Sequence, residues 1–373
     1  MHPVEIRHQR APVFVGSDIY RNPAFGTNHP LSIPRVATVY DLCAVLGWLD
    51  DGLFQDSPQA SVEQLVTFHD ESYVDALQAG SRNQRISAPH RKRYHIGTME
   101  NPIFPALFER AATSVGGSIR AAQLAAEGRI TFHPSGGTHH GRPDRASGFC
   151  YFNDPVFAIL TLLDRGFDRV LYVDLDAHHG DGVQDAFEDD ARVLSISIHE
   201  QNRWPHTGAL HDRGRGGARN LPVPAGFNDS ELAFLMTEAV LPLAQEFDPE
   251  AVVVTCGADG LKDDPLSTMA LSNGALWHAS LQLAGLTNAT VVLGGGGYNP
   301  WTVARCWTGL WGRLAGKNTP EILPGKAQAI LGALACDLID DEDVSSAWTN
   351  TLADDALSGK VRDEIRELPV LLS

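Results

Sequence analysis

Residues 169–182 read RVLYVDLDAHHGDG, an apolar run that ends in three aspartates and two histidines. The run has the length and β-branched composition of a strand covered on both faces. A buried carboxylate is costly unless a cation or a donor meets it, so this strand has to end beside a partner. In extended backbone, side chains two residues apart share a face. Asp174, Asp176 and His178 therefore project together.

The same pattern of strand, Gly- or Asp-rich turn and helical spacing recurs along the chain. Ile130–His133 precedes PSGGTHHG, Val193–Ile198 precedes HEQNRWPHTG, Val252–Thr255 precedes CGADG and Val291–Leu293 precedes GGGGYNP. Helical spacing covers 106–127, 231–246, 274–284 and 300–314. Strands alternating with helices predict a mainly parallel sheet with helices on both faces, a three-layer α/β sandwich. No repeat or linker interrupts it, so the expectation is a single domain over 1–373, with its motifs in about 20–315 and a helical periphery over 316–373. Ligands bind such sheets beyond the carboxyl ends of the strands, where the polar residues cluster here.

Composition narrows the function classes. At 43% hydrophobic the chain can bury a large core, and its 46 acidic against 29 basic residues give a net charge of −17. That balance argues against general nucleic-acid binding and favours cationic small molecules or basic peptides. Cys43, Cys150, Cys256, Cys306 and Cys336 are scattered without a CxxC pair, as expected of reduced thiols in a cytoplasm. The N-terminal MHPVEIRHQRAPVFVGS lacks a signal-peptide core, and no stretch nears the roughly 18 apolar residues of a span. The expectation is a soluble cytoplasmic protein without a membrane partner.

Asp176 and His178 on one face make a two-ligand clamp, and CGADGLKDDP offers Asp259 as a third ligand. Two carboxylates and an imidazole with an open position suit a catalytic zinc ion, although Asp-x-His also fits a capping aspartate beside a packed histidine. His139–His140 in GGTHHG supply imidazoles for acid–base work, with Asp174 and Asp181 left to orient them; a His-rich surface turn is the plainer alternative. Tyr298, after four glycines, is placed to donate to an oxyanion or simply to pack in its loop.

The ordered motifs NHPLSIPR, GTMENPIF, GGTHHGRPDRASGFCYFND, YVDLDAHHGDG, SISIHE, CGADGLKDDPL and GGGGYNPWTVARCW resemble those of the histone deacetylase superfamily, close to class I enzymes and bacterial acetoin-utilisation deacetylases. The resemblance covers roughly 20–315 and implies an arginase-like α/β fold. It implies Asp176, His178 and Asp259 as zinc ligands, with iron(II) able to use the same set. His139 and His140 become the active-site pair with partners Asp174 and Asp181, His140 the principal base, and Tyr298 the carbonyl-polarising group. Gly148, Phe149, Trp204 and Leu266 would line an acyl-lysine tunnel, and Arg35 a product channel. A potassium ion would take Asp174 and Ser197 side-chain oxygens with the carbonyls of Asp176, His178 and Ile198. The activity implied is metal-assisted hydrolysis of acyl-lysine in peptides or proteins, with acetylated polyamines as the alternative substrate.

The chain departs from the family pattern in three places. HIGTMENP shows no obvious acidic rim residue for gripping a peptide, and Trp204 replaces a usual Phe, which should narrow or reshape the tunnel. RNQRISAPHRKR, residues 82–93, is a basic loop before that region, either solvated or a contact for an acidic partner. The absence there of the insertion that restricts polyamine deacetylases favours longer or bulkier acyl-lysines. A two-manganese ureohydrolase would need further bridging ligands, and a silent acyl-lysine binder would lack some of the residues just named.

Overall fold

Val170–Asp174 is a central strand, buried along its whole length. The computed structural model describes residues 11–26, 28–50 and 52–372. Among these, eight strands form one sheet: β1 (Val13–Gly16), β2 (Phe54–Asp56), β3 (Ile130–His133), β4 (Val170–Asp174), β5 (Val193–Glu200), β6 (Ala218–Val223), β7 (Ala251–Thr255) and β8 (Thr290–Leu293). Their order is β2-β1-β3-β8-β7-β4-β5-β6, and every neighbouring pair is parallel. All strands therefore end on one edge. The expectation of a mainly parallel sheet is met by a wholly parallel one.

Alternation along the strands divides the interior. Leu171 and Val173 of β4 join Val252, Val254 and Ile196 in a core beneath helices Arg35–Val45, Asn273–Ala284 and Pro300–Leu314. Val170 and Tyr172 join Ala251 and Val253 on the opposite face, beneath helices Leu107–Ala126 and Asp154–Asp164. Both faces are thus covered, which is why these strands read as unbroken apolar runs. The helix expected over 231–246 runs from Asp229 to Phe247, with a π turn at Met236–Val240.

Three strands escape the sequence reading, two of them because they lie at an edge. β2 and β6 are the sheet's edges, and β1 lies beside β2. β2 has three residues, and β6 (ARNLPV) carries Pro222, which an edge tolerates because one side of the strand needs no ladder donor.

Residues beyond 314 pack against the sheet's helical layer. The buried Arg305 guanidinium pairs with Asp354 at 2.6 Å and donates through Nε to the Thr351 carbonyl at 2.7 Å. Trp301 stacks on Trp348 with ring centres 5.8 Å apart, and its indole N–H donates to the Leu331 carbonyl at 2.9 Å. Among the described residues, no helix is long and apolar enough to cross a membrane.

Candidate active site

The loops that follow β3, β8, β7, β4 and β5, five neighbours in the sheet, meet at its carboxyl edge. Asp176 and His178 come from the loop after β4, and Asp259 from the loop after β7. One ligand atom of each lies within 4.8 Å of the others, and all three residues are buried. The His178 Nδ1 is 2.8 Å from Asp259 Oδ2 and 3.3 Å from Asp176 Oδ1. This is the one such metal-ligand group among the described residues.

Backbone donors fix the two carboxylates. The Gly296 N–H donates to Asp176 Oδ2 at 2.6 Å, and the Ala177 N–H to Asp259 Oδ1 at 2.9 Å. Such close approach requires glycine: a Cβ on Gly257 would stand 2.2 Å from Asp176 Oδ2, and one on Gly296 would stand 2.1 Å from Asp259 Oδ2. Burial, with Asp176 alongside, pushes the Asp259 carboxyl up. Burial alone would lower the His178 imidazole, but the two carboxylates outweigh it and push it up to about 10. A buried site this negative is matched to a cation.

The paired histidines stand beside it, ring centres 4.0 Å apart. His139 Nδ1 meets Asp174 Oδ2 at 2.6 Å, and His140 Nδ1 meets Asp181 Oδ1 at 2.8 Å, the two dyads expected from the sequence. Their electrostatics differ. Burial opposes charge on His139, yet Asp174 and Asp176 prevail and push it up to about 9. Burial and the neighbouring His139 charge push His140 down to about 3. Tyr172 also donates to Asp174 Oδ2 at 2.7 Å, and Arg142 pairs with Asp181.

The sequence reading assigned no role to the residues that brace this loop. Asn153 donates to the carbonyls of His139 (3.1 Å) and Gly141 (3.0 Å), and Asp154 accepts from the Thr138 N–H at 2.8 Å. His69 accepts from the Asn153 N–H at 3.2 Å and donates through Nδ1 to the Arg142 carbonyl at 2.9 Å. Burial holds His69 neutral, its pKa down at about 4. The unfolded chain therefore takes up a proton near pH 6.5 that the folded protein refuses. This contribution to stability is intact above pH 6.5 and is lost as pH falls toward 4, by up to about 3 kcal/mol. Urea titrations between those limits should show His69→Gln losing less stability on acidification than the parent. Equal slopes would refute the assignment.

A cavity of about 610 Å³ opens on this constellation. Gly148, Phe149, Trp204 and Leu266, the expected tunnel residues, all line it, together with His140, His178 and Tyr298. The Trp204 ring lies 4.6 Å from that of His140, and a Cβ on Gly148 would strike it at 2.3 Å. The Tyr298 N–H donates to Asp264 Oδ2 at 2.7 Å, and the following Asn299 caps helix Pro300–Leu314, so the ring is held at both sides of its backbone. One expectation is corrected. HIGTMENP does carry an acidic residue at the mouth: Glu100 lines the cavity and accepts from the Gly148 N–H at 2.7 Å. A lone acid in a polar loop gives no periodic signal, so the sequence hid it.

A second unforeseen group ties two walls of the mouth together. Glu200, buried at the end of β5, accepts from Arg203 Nε (2.6 Å) and from the Thr268 N–H (2.8 Å), while Arg203 donates to the Leu266 carbonyl at 2.7 Å. The loop bearing Trp204 is thereby fastened to the loop bearing Leu266. Glu200→Gln removes the charge from a buried pair and should cost about 2 kcal/mol of stability. KM should rise more than kcat falls, because the reacting groups stay in place. Unchanged KM would show that the clamp does not shape the mouth.

The remaining expected residues fall around this centre. Asp174 and Ser197 are register partners on β4 and β5, with Ile198 next along the strand, and Ser197 Oγ also contacts His199 Nδ1 at 2.8 Å. Arg35 donates to the carbonyls of Gly295 (2.8 Å) and Gly297 (3.3 Å) in the loop that carries Tyr298.

A buried cation-seeking cluster flanked by two His–Asp pairs and opening on a cavity describes a metallohydrolase. The histone deacetylase domain profile matches residues 29–314, and the chain belongs to the histone deacetylase family. It is a deacetylase hydrolase by that membership. It is 34% identical over 322 residues to histone deacetylase 8 of Xenopus tropicalis, covering 84% of this chain and 86% of the relative. Over 331 residues it is 33% identical to the acetoin utilization protein AcuC of Bacillus subtilis, covering 84% and 85%. Across the curated relatives the chain spans between 61% and 86% of their length. The crystal structure of an HDAC homolog from Aquifex aeolicus superposes with a TM-score of 0.93 at 35% identity, covering 98% of this chain and all of that one. The crystal structure of an HDAC homolog complexed with SAHA superposes equally well, with a TM-score of 0.93 at 35% identity, covering 98% of this chain and all of that one.

Proposed function

We propose that the chain is a zinc-dependent deacylase that removes acetyl or longer acyl groups from the side-chain amine of lysine in peptides or proteins. The observation that carries this reading is the cavity lined by Phe149 and Trp204 that also takes in His140, His178 and Tyr298. A neutral alkyl stem fits walls of this kind, and a charged one does not. Asp176, His178 and Asp259 fit zinc through two oxygens and one nitrogen in a buried, negatively charged pocket; iron(II) fits the same donors. When bound, the ion supplies Lewis acidity for the acyl carbonyl and acidifies water.

The chain's own groups do the rest. His140, anchored through Nδ1 to Asp181, has Nε2 free to take a proton from the attacking water. His139, anchored to Asp174, supplies positive charge beside the developing oxyanion. The Tyr298 hydroxyl donates to that oxyanion. The proton held on the histidine pair then passes to the departing amine. Asp174 and Ser197, with the carbonyls of Asp176, His178 and Ile198, would hold potassium behind the dyads. The Arg35 guanidinium, fixed on the Gly295 and Gly297 carbonyls, would draw carboxylate product away. Five free cysteines suit a reducing cytoplasm.

Glu100 at the mouth suits a peptide N–H, and equally the ammonium of an acetylated polyamine, so the test has to separate the two. Carboxylate release is measured on acetyl-lysine peptides, longer acyl-lysine peptides and acetylated polyamines, before and after chelation and zinc restoration. Zinc-dependent turnover of the peptides is the expected result. Turnover of polyamines alone would replace the substrate class, and no turnover with metal bound would overturn the catalytic reading.

A further inference from the structure

Residues 82–93, RNQRISAPHRKR, hold five of the chain's 29 lysines and arginines, and no Asp or Glu occurs between Asp75 and Glu100. The chain as a whole has 46 acidic residues, so this stretch inverts its balance. Arg82, Arg85, Arg91, Lys92 and Arg93 are all exposed. Among the described residues none of the five has a carboxylate within ion-pair distance, whereas Arg21, Arg142, Arg192, Arg215 and Arg362 elsewhere each have one. Placing cations at the end of helix Ala88–Tyr94 complements its dipole. That accounts for residues 91–93, and the end of helix Glu71–Asn83 accounts for Arg82 in the same way, but neither explains Arg85 or the missing acids.

The segment is joined directly to the cavity mouth. The Ala146 N–H donates to the Tyr94 carbonyl at 3.0 Å, two residues before the tunnel wall at Gly148. Arg91 Nε lies 3.7 Å from where a Cβ on Gly97 would stand, and Gly97 is three residues from Glu100, whose carboxylate holds the Gly148 N–H. Met99, 95% exposed, lies between them on the same loop.

We propose that this face docks acidic residues flanking the acyl-lysine of a peptide substrate. The inference rests on the deacylase reading and names its substrate class: an acyl-lysine set in an acidic stretch. The net charge of −17 opposes an acidic peptide at long range, but at ~0.15 M salt charges more than about 8 Å away are largely screened. On the segment's own surface the five cations without ion pairs set a positive potential beside the Glu100 carboxylate at the mouth.

The test compares fluorescent acyl-lysine peptides with Asp/Glu flanks against matched peptides with Gln flanks, using binding anisotropy on the metal-loaded protein. At ~0.15 M salt the acidic flanks should tighten binding by about tenfold, and at ~1 M salt the advantage should vanish. The charge reversal Arg85→Glu, Arg91→Glu, Lys92→Glu, Arg93→Glu should abolish it. The milder set Arg85→Gln, Lys92→Gln, Arg93→Gln, which leaves Arg91 on Gly97, should reduce it severalfold and guards against misfolding. Equal affinity for the two peptides in the parent, or a preference that survives in both variants, would overturn the proposal. Turnover of a blocked single acyl-lysine, too short to reach the face, should be the same in parent and variants. Its absence in the parent would count against the deacylase reading alone, since anisotropy still decides the docking.

Discussion

Asp176→Asn should yield a folded protein that neither retains the metal nor turns over substrate. Asp176 contributes one of the ligand atoms and accepts from the Gly296 N–H at 2.6 Å and the His178 N–H at 2.9 Å; the Asn amide oxygen can keep one of these bonds while the charge and the second acceptor are lost. A neutral carbonyl oxygen is a poor ligand for zinc beside one remaining carboxylate. Loss of several kcal/mol of transition-state stabilisation corresponds to at least about 10³-fold in rate. Metal content gives a readout independent of activity. In thermal melts the parent should lose stability on chelation, because a ligand bound only by the folded state stabilises it, and the variant should not respond. A variant that is active and metal-free would sink the site assignment.

Tyr298→Phe should leave metal content and folding intact while lowering kcat by about 10²- to 10³-fold. Tyr298 is only 7% exposed, and its hydroxyl makes no hydrogen bond to the chain among the described residues, so the substitution strands no buried partner. Its backbone anchor to Asp264 and its ring contact with Phe149, centres 5.9 Å apart, survive in Phe. The loss should fall on kcat with KM little changed, since the donor acts on charge that develops in the transition state. A variant within about twofold of the parent would remove Tyr298 from the chemistry, because a lost oxyanion donor costs far more than that.

The strands that build the site were legible because they are central. β3, β4, β5, β7 and β8 bury both faces and announce themselves as β-branched runs ending in polar turns. β2 and β6 lie at the sheet's edges, and their patterns fade into loops, whereas β1, four buried residues like β3 and β8, was overlooked. Spacing drew attention to Asp174, Asp176 and His178 together, but β4 ends at Asp174, and Asp176 and His178 belong to the loop that follows rather than to one strand face. That Asp259 comes to meet them depends on β7 pairing with β4, a long-range choice that no local pattern encodes. Spacing proposed this arrangement, and family resemblance gave it roles. Glu100 was missed because it acts singly, from an irregular loop. The Glu200–Arg203 clamp was missed because its meaning lies in its contact with Leu266, about sixty residues further on. Asn153 and Asp154 were visible within a quoted motif, but their work is done on the backbone of the preceding loop.

The family profile ends at residue 314, but the molecule's tolerance for being shortened does not follow that line. Arg305 finds its carboxylate at Asp354, and Trp301 finds its covering ring at Trp348. A chain stopped at 314 would turn this face of helix Pro300–Leu314 outward, a broad oily patch with one unneutralised guanidinium at its centre. Patches of that kind drive proteins to self-associate. Residues 315–372 therefore act as a solubility shield, meeting the reacting groups only where Cys336 Sγ lies 3.8 Å from the Tyr298 carbonyl.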